Sequence, residues 1–152
     1  MPYFFRYSAT NFLLIGVSSA ALDTPANKKF VKDYRAKFNR IPSYFSETCY
    51  TSARWIAEAA KAIGGDVEDR EKLLAALHKV EIPDSPRGPI KLDAQGNPIQ
   101  NIYIRKVERK DGELWNTVIH TYPAVSQFWK YKPDEFLKQP VYSRDFPPCK
   151  AC

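Results

Sequence analysis

The residues able to do bond chemistry are few. His78 and His120 are the two histidines, and neither stands in the HExxH or CxxC-with-HxxxH spacing that would hold zinc. His78 reads as a surface or half-buried helix residue and His120 as a residue at a strand end. Cys149 and Cys152 form a CxxC, the shape of a redox or metal pair. That pair lacks the βαβ setting of a thioredoxin-like motif and lacks a second pair for zinc, so it reads as a disulfide or an idle pair. No GxGxxG, GxxxxGK[ST] or GxSxG occurs, and Gly64-Gly65 is a helix stop rather than a phosphate loop. Nothing here argues for an enzyme, a cofactor or a metal centre.

Binding is better supplied than bond-making. Tyr50 opens an alanine-rich helix just after a loop containing Pro42, Tyr44, Phe45, Ser46 and Thr48. Aromatic faces give contact area and hydroxyls give directed hydrogen bonds, which suits a small ligand with an apolar body and a charged head. The competing reading makes Tyr44, Phe45 and Tyr50 ordinary core aromatics. A second cluster, Lys28, Lys29, Lys32, Arg35 and Lys37 with interleaved aromatics, has the look of a nucleic-acid surface, but a solvated helix face explains it as well. The net charge of +6 is spread among 23 basic and 17 acidic side chains, so no nucleic-acid partner is expected.

Local signals place these residues on elements. Thr24 followed by Pro25 is a helix start, and Ala26, Phe30, Tyr34 and Phe38 recur every four residues as one apolar stripe. Arg40-Ile41-Pro42 is expected to end that helix. A second helix is predicted from about Glu47 to Ile63, burying Cys49, Tyr50, Ala53, Ile56, Ala57, Ala60 and Ile63 against a sheet. A third is predicted from an Asp66 cap, with Leu73, Leu74, Leu77 and Val80 buried. Beyond Pro83 the period changes to that of strands. Ile90 and Leu92 precede the turn Asp93–Asn97, and Ile102–Val107 and Leu114–Ile119 flank Asp111-Gly112, a strong hairpin signal. After Tyr122 the prolines 123, 133, 140, 147 and 148 predict an extended tail over a surface. Near the start, Phe12–Leu22 has the form of a secretory leader or of a buried strand over Leu13–Val17, and the strand is the favoured reading.

At 152 residues and 44% apolar content the chain suits one modest domain, and no apolar run reaches the roughly 18 residues of a membrane span. Three cysteines cannot build a full disulfide framework.

The segment LDTPANKKFVKDYRAKFNRIPSYFSETCYTSARWIAEAAKAIGG resembles the late part of a type I periplasmic substrate-binding protein of the branched-chain, or hydrophobic amino acid, ABC transporter family. Downstream, RGPIKLDAQGNPIQNIYIRKVERKDGELWNTVIHTYP resembles that family's G-x-x-x-[FL]-D-x-x-G-[ND] turn and the strands after it. The resemblance implies an α/β fold of two Rossmann-like lobes joined by three hinge crossings, of which this chain carries the C-terminal part, a β-hairpin and the proline-rich tail. Residues 1–42 would belong to the second lobe and 43–98 to the end of the first. Residues 99–122 would cross back, and 123–152 would form the tail. It implies hinge-bending capture of a hydrophobic amino acid or aromatic acid, a membrane permease as partner, and a periplasmic location. Tyr50 falls on a family position at the cleft, with Ser46 and Glu47 as weaker candidates. The first-lobe segment that holds the ligand's amino and carboxylate groups in this family is missing, and so is the second-lobe acid that pairs with the amino group. Pieces of a parallel sheet standing alone would expose core surface. The alternative function is therefore an interaction subunit that packs this surface on another polypeptide completing the fold.

Overall fold

The computed structural model describes residues 12–143 and 145. Arg6, Pro147, Pro148 and the Cys149/Cys152 pair lie outside the described residues. Strand β1 (Leu13–Gly16) and helix α1 (Pro25–Phe38) form where the sequence places them. The Thr24 hydroxyl accepts from the Asn27 N–H, and Pro25 fills a first-turn position whose N–H would have had no partner. The stop differs from expectation. Asn39, left-handed at φ 51°, ends α1 before Pro42 can act, and its N–H returns to the Arg35 carbonyl.

Helix α2 (Tyr44–Ala62) starts earlier than the expected Glu47, because Ser43 caps it. The Ser43 hydroxyl accepts from the Ser46 N–H while Ser46 accepts from the Ser43 N–H. Tyr44, Phe45, Ser46 and Thr48 are therefore helical rather than in a loop. Helix α3 (Arg70–Lys79) is capped by Asp69 and not by Asp66, which instead pairs with Lys72 at 2.8 Å.

The remaining strands are β2 (Glu81–Ile82), β3 (Ile90–Leu92), β4 (Pro98–Lys110) and β5 (Glu113–Val125), all paired antiparallel. Short β2 carried no sequence signal. Asp111 and Gly112 both have positive φ, 50° and 82°, the two-residue hairpin geometry that Asp-Gly favours. Strand β4 joins everything. Gln100 pairs with Ile90 on one edge and Val125 on the other, and Arg105 with Leu14 and Val118. Thus β3 and β1 share one edge of β4 at opposite ends, and β5 runs along the other edge. Pro123, which has no N–H to give a ladder, sits beside the register shift between Gln100 and Ile102.

The core lies between α2, α3 and β2–β3. Ala59, Ala76, Val80, Ile82 and Ile90 are buried, with Trp55, Ile63, Leu73 and Leu77 packed on them. The Trp55 indole donates to the Leu77 carbonyl at 3.0 Å. Three burial expectations are overturned. Leu74 is exposed. Helix α2 packs on α3 and turns Glu47, Thr51 and Ala59 inward, leaving Cys49, Tyr50, Ala53, Ile56 and Ala57 exposed. Strand β1 is exposed rather than buried, Ile15 by 73%. Among the described residues these apolar sides remain largely uncovered, although Tyr50 touches Phe30 of α1. The tail is mostly exposed, as the prolines suggest, yet Phe128 is buried and sits edge-on to Phe136, one residue of the short helix α4 (Pro133–Phe136).

Candidate functional site

Helices α1 and α2 leave between them a groove of about 400 Å³ whose walls include Phe30, Tyr34, Phe38 and Tyr50. The four-residue spacing of α1 stacks its aromatics along one side: Phe30 and Tyr34 centroids are 5.9 Å apart, Tyr34 and Phe38 4.6 Å. Tyr50 reaches across from α2 to Phe30, with centroids 4.9 Å apart. The lining also carries charge: Arg54 binds Asp84 at 2.6 Å, Lys29 pairs with Asp33, and Lys37 stands beside Phe38. An aromatic wall with a few polar groups beside it can hold a flat or apolar solute and orient a charged head.

Ser46 does not line this groove but braces it. Its hydroxyl donates to the Tyr34 hydroxyl at 3.0 Å, tying the first turn of α2 to α1. That hydrogen bond, helped by Arg40, holds the Tyr34 phenol below its ordinary pKa. Glu47 faces the other way, into the protein. Its carboxylate accepts from Thr51 Oγ1 at 2.5 Å and from Arg87 Nε at 2.8 Å, and Arg87 Nη2 lies 2.6 Å from it. Arg87 also donates to Thr48 Oγ1 at 2.7 Å and Gln100 Oε1 at 3.1 Å. The Arg87 carbonyl accepts from the Tyr103 hydroxyl at 2.7 Å. Burial pushes that phenol up, although Asn101 hydrogen-bonds it. The network pins α2 to the β2–β3 turn and to β4.

The structure thus places Tyr50 at a groove, Ser46 behind it and Glu47 in the interior, all on α2. Sequence reading passed over Arg87 and Tyr103. Arg87 meets Glu47 across a separation of 40 residues, which no local spacing marks. Among the described residues no group of His, Cys, Asp and Glu is arranged to hold a metal, and no helix is long and apolar enough to cross a membrane.

A family model described as periplasmic binding protein matches residues 8–113. The chain belongs to the periplasmic binding protein family. Solved structures agree, and the α/β arrangement is that of a partial type I periplasmic-binding fold. The chain is similar, at 37% identity and a TM-score of 0.73, to a solute-binding protein of an ABC transporter from Rhodopseudomonas palustris BisB5 in complex with 3,4-dihydroxybenzoic acid; 78% of this chain and 32% of that one are covered. A second R. palustris solute-binding protein, in complex with benzoate, is 31% identical with a TM-score of 0.69, over 79% of this chain and 32% of that one. An ABC-type branched-chain amino acid transporter protein from R. palustris CGA009 shares the fold alone, at 19% identity and a TM-score of 0.61 over 76% and 31%. No curated protein matches. This periplasmic binding protein chain spans about a third of the length of the structures it resembles.

Proposed function

We propose that the chain works as part of the solute-binding component of an ABC importer for hydrophobic or branched-chain amino acids or related aromatic carboxylates. It captures its solute in the periplasm by hinge bending, without bond chemistry, and the loaded form docks on a membrane permease. Residues 1–42 belong to the second lobe and 43–98 to the end of the first, while 99–122 are the hinge crossing and second-lobe strands. The carrying observation is Tyr50 packed on Phe30 across the α1–α2 groove, in a chain 37% identical to a solute-binding protein. Tyr50 contributes its aromatic face to the solute, and Ser46 sets the groove by holding Tyr34.

The test is Tyr50→Ala in a complete two-lobed protein, with hydrophobic amino acids and benzoates titrated by calorimetry. Loss of one aromatic contact, about 1 kcal/mol, raises Kd about fivefold, with little change in the unfolding midpoint. Unchanged affinity removes Tyr50 from the site.

The exposed apolar faces support a second reading, an interaction subunit that packs them on another polypeptide: Ile15 and Phe45 are 73% and 75% exposed. Such a subunit is insoluble alone and soluble with its partner, whatever small molecule is added. A chain that stays soluble and monomeric alone refutes it.

A further inference from the structure

Phe30 has two sides. One borders the aromatic groove; the other borders a tighter cavity of about 200 Å³ between α1, the start of α2, β4 and β5. Among the described residues, one arginine at its wall pairs with no acid.

Arg105 lies on β4 between β1 and β5. Its guanidinium folds across Gly16 and donates to the Ser18 carbonyl at 2.7 Å and the Ile15 carbonyl at 3.3 Å. The passage is close, since a Cβ at Gly16 would stand 2.6 Å from Arg105 Nη2. Two carbonyls leave most of its five N–H groups without a protein acceptor, and Nε is buried with no hydrogen-bond partner. Arg35, Arg54 and Arg87 each bind a carboxylate, whereas among the described residues none pairs with Arg105. Glu47 also borders the cavity but is committed to Arg87. Burial works against the Arg105 charge and draws its pKa down, so the cation is held where its solvation is poor.

The rest of the wall suits an anion with a flat body. Ser43 and Tyr44 bring the positive end of the α2 helix to the cavity. Phe30, Tyr44 and Trp115 supply aromatic surface. The volume is below the roughly 300–1,000 Å³ of sites for drug-sized ligands, so a single ring fits and a larger solute does not. We infer that this cavity binds a small aromatic monocarboxylate, whose carboxylate pairs with Arg105 while its ring lies between Tyr44 and Trp115. The site is separate from the groove and does not depend on Tyr50 touching a solute.

The test is calorimetric titration of the 152-residue chain with sodium benzoate and, separately, with benzyl alcohol. One benzoate is expected to bind per chain, with benzyl alcohol weaker by on the order of tenfold or more, because only the acid compensates the half-buried cation. Arg105→Gln is expected to lose binding by the same factor and Arg105→Lys to recover part of it. Gly16→Ala keeps the charge but displaces the guanidinium, and so weakens benzoate in a protein whose circular dichroism shows it folded. This variant and the alcohol comparison decide the question if Arg105→Gln does not fold. The inference is overturned if the chain binds no benzoate, if the alcohol binds as tightly as the acid, or if Arg105→Gln or Gly16→Ala binds as the parent does. Binding that Tyr50→Ala abolishes and Arg105→Gln spares places the acid in the groove and also overturns it.

Discussion

Glu47 and Arg87 are the pair whose disruption should cost this fold most. Their side chains are 3% and 7% exposed, and two guanidinium nitrogens, Nε and Nη2, lie 2.8 and 2.6 Å from one carboxylate oxygen. Replacing Glu47 by Gln removes the charge that compensates Arg87 and leaves a buried cation with only Thr48, Gln100 and an amide for partners. Loss of one member of a buried ion pair costs about 3–5 kcal/mol. With a denaturant slope of about 2 kcal/mol per molar urea, the unfolding midpoint falls by about 1.5–2.5 M. Replacing both residues, Glu47→Leu with Arg87→Met, removes both charges along with their desolvation penalty. That double variant should recover most of the loss, because buried ion pairs exchange for apolar packing at little net cost. Equilibrium urea unfolding of the parent, Glu47→Leu, Arg87→Met and the double variant, followed by far-ultraviolet circular dichroism and by tryptophan fluorescence, gives the four corners of the cycle, with Glu47→Gln measured alongside. If Glu47→Gln unfolds outright in buffer, the double variant still reports. A single-variant shift below about 0.5 M, or a double variant as weak as the sum of the singles, would show that this pair is solvated and does not pin α2.

Two further outcomes follow from named groups. Burial raises the Tyr103 phenol above its ordinary value of 10.0. Tyr103 is therefore protonated in folded and unfolded chains alike at neutral pH, and its contribution to stability is lost as pH rises through the ordinary tyrosine range, where the unfolded chain ionises first. Tyr103→Phe should flatten the alkaline arm of a stability-against-pH curve, and an unaltered arm would assign it to other groups. Asn27 is buried and its side-chain amide donates to the carbonyls of Ser19, Ala20 and Leu22. Asn27→Ala strands the Ala20 and Leu22 acceptors, Ser19 keeping the Leu22 N–H, and should cost about 2–3 kcal/mol in urea unfolding, whereas a change under about 0.5 kcal/mol would mean that water replaces the amide without penalty.

Local chemistry could be read without coordinates. Thr24-Pro25 opens α1, the four-residue aromatic spacing becomes one wall of the groove, and Asp111-Gly112 turns the hairpin. These signals act within a turn or so of the chain, where sterics and nearby hydrogen bonds dominate. Ser43 and Asp69 cap α2 and α3, whereas Glu47 and Asp66 had been expected to mark their starts. Of the candidate site residues, Tyr50 stands at the groove, while Ser46 and Glu47 lie behind it.

By itself the sequence determined where the three long helices and the main strands lie, though not β2, α4 or the first turn of α2, and the family to which they belong. Tertiary structure decided which faces are inside. Apolar periodicity marks a helix side that prefers burial, but the preference has no direction and is met only where another layer stands. On α2 that layer is α3, on the side of Ala59, while Thr51 is turned inward beside Glu47, so Ile56 and Ala53 remain in solvent. The same holds for charge. Arg87, between β2 and β3, finds Glu47, while among the described residues Arg105 on β4 finds carbonyls, and no spacing along the chain distinguishes the two arginines.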